Sequence, residues 1–204
     1  MTLTHDVKHR SESSHQPANA VTAWGVIGCM LLISTGVYRV LPHAIEPVWP
    51  TYTLRVWELA LYVGFIVFQA WTEGYKGFQQ GVVPRILARA QWLTDHPRRV
   101  HPLVAPFFVT GLFGMTRRAL IVRYVFIFVI VGVIVAMKFV PQPWRGIVDA
   151  GVVVGLMWGV VAMGVGLARM FRGWTPDADP QVPEHWSTTN ETSEENEDST
   201  RIGA

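Results

Sequence analysis

The chain has 204 residues, half of them hydrophobic, with nine tryptophans and a formal net charge of only +2. That apolar content exceeds what a soluble domain of this size needs, and no separate basic domain exists to suggest nucleic-acid binding. The single cysteine, Cys29, rules out a disulfide within the chain and reads as a structural thiol.

Residues 1–19 are polar and expected to be a disordered tail, with His5, His9 and His15 too scattered for a metal site. The first apolar block, 20–41, is too long for the hydrophobic part of a secretory signal and lacks a small-x-small cleavage site, so it should remain as an anchor. Three more blocks follow, at 54–71, 119–140 and 146–171. Each approaches or exceeds the roughly 20 apolar residues that cross a hydrocarbon core of about 30 Å. The third is rich in Val, Ile and Phe, but strands rarely exceed about ten residues, so it too is helical. The predicted fold class is an all-α membrane protein with four transmembrane helices.

Four spans place both termini and the middle segment, 72–118, on one side. Of the 17 Lys and Arg residues, Arg39, Arg55, Lys138 and Arg145 lie on the other side and the remaining 13 on this one. By the positive-inside rule the termini and the middle segment are cytoplasmic, in a membrane of the bacterial inner-membrane type.

The second span gathers its polar groups on one face of a helical wheel: Arg55, Glu58, Tyr62 and Gln69, with Thr51, Thr72 and Phe65 beside them. Arg55 and Glu58 stand at i, i+3 and can pair. The stripe reads first as a packing seam with an ion pair near the outer headgroups, and second as a polar pathway for a proton or small solute.

The middle segment opens with Gly74, Gly77 and Gly81, whose shape the sequence leaves open. From Pro84 to Leu93 it predicts an amphipathic helix lying in the interface, with Arg85 and Arg89 among lipid phosphates. Asp95, His96 and His101 then share a Pro-containing turn without a metal-ligand spacing. Residues 101–115 are too short in apolar length to span and suit an interfacial or re-entrant segment. Arg117 and Arg118 open the third span, Arg123 lies a turn further in, and all three are expected to hold anionic headgroups.

The fourth span carries Gly151, Gly155 and Gly159, continued by Ala162 and Gly166, a stripe over which another helix can pack closely. Whether that helix belongs to this chain or to a second copy is left open. Asp149 stands four residues after Arg145 and reads as its ion-pair partner. The chain ends in a tail, 172–204, whose part from Trp174 holds eight acidic residues against Arg201 alone and is expected to be disordered.

No G-x-x-x-x-G-K-[ST], G-x-S-x-G, H-E-x-x-H or C-x-x-C occurs, and no histidine sits in the middle of a span to hold haem. No cofactor or metal is expected. The leading functional expectation is a non-catalytic subunit or assembly factor of a membrane complex. Its partners would be anionic lipid and a protein or second copy met through the fourth span or the middle segment. A small transporter using the second-span stripe is the alternative, and an interfacial lipid-modifying enzyme built on Asp95, His96 or His101 is the weakest.

Overall fold

A computed structural model describes residues 19–49, 54–96 and 100–183. The first 18 residues, the acidic segment from 184 onward, Thr51, and Arg98 with Arg99 therefore lie outside the described residues. Every regular element among the described residues is helical. In chain order these are α1 (Ala20–Ile45), α2 (Val56–Gln69), a π-helix (Ala70–Val82), α3 (Val83–Asp95), a 3₁₀ turn (Pro102–Val104), α4 (Ala105–Val109), α5 (Arg117–Met137) and α6 (Trp144–Phe171). Three of them, α1, α5 and α6, are long and apolar enough to cross a membrane.

The segment expected to span as a second helix does not end near Trp71. α2, the π-helix and α3 follow without a break, so residues 56–95 form one helical rod. Thr72, Glu73 and Lys76 make the stretch polar, but no proline interrupts it before Pro84. The wide i→i+5 ladder ends where Pro84 stands, a residue with no N–H to donate. Polarity alone does not stop a helix whose other face has something to pack against.

That packing partner is α6. A methyl group placed on Gly151 would lie 2.7 Å from Phe65 Cε1, and one on Gly159 would lie 2.6 Å from Phe78 Cδ1. Gly155 faces Glu73 Cβ and Gly166 faces Leu87. The glycine stripe of α6 is thus filled from within the chain by side chains of the rod, while Gly74 of the rod receives Trp158 of α6. Each missing side chain on one helix makes room for a large one on the other, which lets the two helices pack closely.

α1 also packs against α6 and receives α4. Gly25 faces Val109, and Gly28 faces the Pro106 ring. Asn19 caps α1, its Oδ1 accepting from Val21 N and Thr22 N at 3.0 Å each. Asn19→Ala should therefore lower stability by about 1 kcal/mol, read from unfolding curves in detergent. Thr22 also shares a short hydroxyl hydrogen bond with Thr94 of α3, tying the start of α1 to the end of the rod.

The core has two parts. One, around Val26, Leu87, Leu93, Phe108 and Met163, lies where α1, α3, α4 and α6 meet. The other, around Val37, Ala44, Ala150 and Val153, lies at the opposite end beside Tyr62 and Ile66. α5 joins neither. None of its residues is buried, and it is tied at its start by Tyr124 Oη donating to Leu112 O at 2.9 Å. A helix that is apolar all round and lacks a packed face suits lipid.

α3 does not lie on the surface. Val83 and every residue from Ile86 to Thr94 are buried, because α1, α4 and α6 surround it. The stretch after α6 is likewise packed: Val182 leans on the core and Gln181 O accepts from Thr116 N at 3.3 Å. The tail expected to be free from residue 172 is therefore docked as far as 183.

Candidate functional site

Arg89 departs furthest from its expected place among lipid phosphates. It is 2 % exposed. Its Nε donates to Phe108 O at 2.7 Å, Nη1 to Pro180 O at 2.9 Å, Nη2 to Phe113 O at 2.7 Å, and both Nη atoms to Gly114 O at 3.2 Å. The guanidinium also lies 4.1 Å from the centre of the Phe108 ring. The amphipathic pattern of α3 placed Arg89 at the border of an apolar face; the carbonyls that claim it come from residues 19 to 91 positions away. A planar fork with five donors suits such a set of converging acceptors. Burial, and then the charge of Arg123, lowers its pKa to about 10, which leaves it charged at neutral pH. Arg89 is a clasp joining α3, the α4–α5 connection and the C-terminal stretch.

The other expected headgroup residues stay accessible. Arg85, Arg117 and Arg118 are exposed, and Arg123 is half-buried beside Gly111.

The second-span stripe is engaged locally. Glu58 Oε2 accepts from the backbone N–H of Arg55 at 2.8 Å, so the pair closes the start of α2 through the main chain and not through the Arg55 guanidinium. Tyr62 Oη donates to Ala44 O at 2.9 Å, linking α2 to α1. Gln69 packs against Gly151, and its Oε1 accepts from Thr72 Oγ1 at 3.4 Å. Arg145 and Asp149 pair as expected, at 3.5 Å.

Asp95, His96 and His101 do not converge. His96 stacks on Trp92 with ring centres 4.4 Å apart, and its Nδ1 lies 3.0 Å from Trp92 O. His101 Nδ1 accepts from Leu103 N at 3.4 Å, and Asp95 faces Gln91 at 3.5 Å. Among the described residues no group of three His, Cys, Asp or Glu side chains is placed to hold a metal.

A groove of about 660 Å³ runs between the rod and α6, walled by Val83, Leu87, Met157, Val161 and half-buried Ala162. Trp158 Nε1 donates to Gln79 Oε1 at 2.9 Å on its wall, and Arg169 with Trp174 stands at one end. Its one titratable lining residue is Arg169, so it offers no acid–base pair.

The residues that pattern reading missed lie in the middle of the rod. Glu73, Lys76, Gln79 and Gln80 are exposed on the π-helix. Glu73 lies beside Gly155, which is 11 residues into the 28-residue α6. Neither Glu73 nor Lys76 makes an ion pair with a described residue; Lys76 Nζ sits 5.7 Å from the centre of the Trp71 ring, which stacks on Tyr75 at 5.1 Å. Trp71 is not a helix boundary: the helix continues through Glu73 and Lys76 to Asp95. The glycine at 74, matched to the glycine stripe on α6, was the available signal that the helix continues beside it.

Compared with family models, with curated proteins and with solved structures, the chain matches none.

Proposed function

We propose that the chain is a non-catalytic subunit or assembly factor of a membrane complex, and that the rod crosses the bilayer as a fourth span through α2 and the π-helix. α3 then closes the cytoplasmic end. One observation carries this reading: two opposite charges, Glu73 and Lys76, are exposed level with the middle of an apolar helix. At about 1.5 Å per residue, Gly155 stands roughly 16 Å from the start of α6 and 24 Å from its end. Charged groups at that depth are costly against lipid and normally face a protein or a water-filled cavity. A covering protein surface satisfies both signs at once.

The charge asymmetry of the sequence supports cytoplasmic termini in an inner-membrane setting. Arg85, Arg117, Arg118 and Arg123 suit anionic headgroups on that side. Isolation of the tagged full chain from its own membranes in mild detergent should give an assembly larger than one chain. A lone monomer would count against the proposal.

A second reading is favoured by the position of Glu73 below Gln69 and Thr72, which extends the polar stripe of α2 to mid-depth. On that reading the stripe carries a proton or small cation. Glu73→Gln should then abolish flux in reconstituted vesicles; unchanged flux removes it.

A further inference from the structure

We infer that the surface covering Glu73 and Lys76 is the same face of a second copy of this chain, related by a twofold axis along the membrane normal. The inference rests on the rod spanning the bilayer as a subunit. In a helix closed by i→i+5 bonds, Thr72 and Gly77 fall on one line, with Glu73 on one flank and Lys76 on the other. When two such helices run parallel about a twofold axis, the left flank of each meets the right flank of the other, as e and g positions do in parallel coiled coils. Glu73 of each copy therefore meets Lys76 of the other, giving two ion pairs in which all four charges are neutralised. A face bearing one sign would repel its own copy.

The line between the flanks allows the approach. A methyl group on Gly77 would meet only Thr72 O and Glu73 Oε2, and one on Gly81 only Lys76 O, all atoms of the same helix. Thr72 Oγ1 already donates to Phe68 O at 2.8 Å, so it enters the seam as a small, satisfied side chain. α5 of the same chain is not a suitable cover, since between Arg123 and Lys138 it has no charged residue to neutralise either group.

The test uses two differently tagged full-length copies expressed together and captured through one tag. Wild-type copies should capture each other. Glu73→Lys in both copies, or Lys76→Glu in both, should reduce capture at least about tenfold, because each places like charges together. Glu73→Lys in one copy with Lys76→Glu in the other should restore it, and so should the two changes together in both copies. Failure of both restorations, with the proteins inserted and monodisperse, overturns the inference. If the charge reversals do not accumulate, Glu73→Gln and Lys76→Gln should still lose capture, and unchanged capture overturns it. A wild-type chain that captures a different protein and not itself overturns the second copy while leaving the subunit reading intact. One that captures nothing overturns both.

Discussion

Replacing Arg89 with alanine is expected to destabilise the protein by about 3 kcal/mol or more, the largest single-residue effect outside the glycine contacts. The substitution removes the donors from the carbonyls of Phe113, Gly114 and Pro180, while Phe108 O keeps the Gly111 N–H at 2.9 Å. It also removes the guanidinium from the Phe108 ring, 4.1 Å away. Because Pro180 is one of the four, the stretch from Gly173 to Pro183 should loosen as well, and trypsin should cut after Arg172 faster than in the wild type. Arg89→Lys should fall between the two, since a point-like ammonium with three donors does not serve four carbonyls from one plane. Thermal unfolding in detergent and the rate of that cleavage are the measurements. An unchanged midpoint for Arg89→Ala would mean that packing, and not the guanidinium, holds these segments together.

The second large effect is expected at Gly159. A leucine there would begin with its Cβ 2.6 Å from Phe78 Cδ1 and 2.8 Å from Cγ, against a ring held between the rod and α6. Overpacking of this kind costs about 1–3 kcal/mol, and separating the rod from α6 adds to it by opening the neighbouring contacts at Gly155 and Gly166. Gly132→Leu is the internal control: nothing lies within 4 Å of a Cβ added there, and no residue of α5 is buried. It should change stability by less than about 0.5 kcal/mol. Equal losses for the two variants in denaturing-detergent titrations would mean that the α6 stripe is not a packing surface.

Apolar length is a local property, so the helical class and the three helices long and apolar enough to span, α1, α5 and α6, are legible without tertiary information. The presence of a close-packing stripe on α6 was legible for the same reason, because four-residue spacing of small side chains has few other uses. The Arg145–Asp149 pair is local too, four residues apart on one helix. Beyond local pattern, structure and expectation part at the helix boundary near Trp71 and at the surroundings of Arg89. Thr72, Glu73 and Lys76 read as the exit of a span because their cost was judged against lipid, whereas the rod continues on the strength of contacts its other face makes with Gly151, Gly155, Gly159 and Gly166.

The amphipathic face of α3 was visible, but a wheel shows which side is apolar and not what will cover it; α1, α4 and α6 cover it here. Arg89 shows the limit most clearly. Its neighbours in sequence assign it to a lipid surface, and only the convergence of carbonyls from residues 108, 113, 114 and 180 makes burial of its charge tolerable. That the chain is helical, membrane-compatible and equipped with a close-packing stripe follows from length, hydropathy and spacing along single helices. What fills the stripe, where Arg89 goes and that Glu73 stands beside Gly155 in the middle of α6 depend on contacts between segments far apart in the chain. The cost of a polar group depends on the distant segments that fold around it.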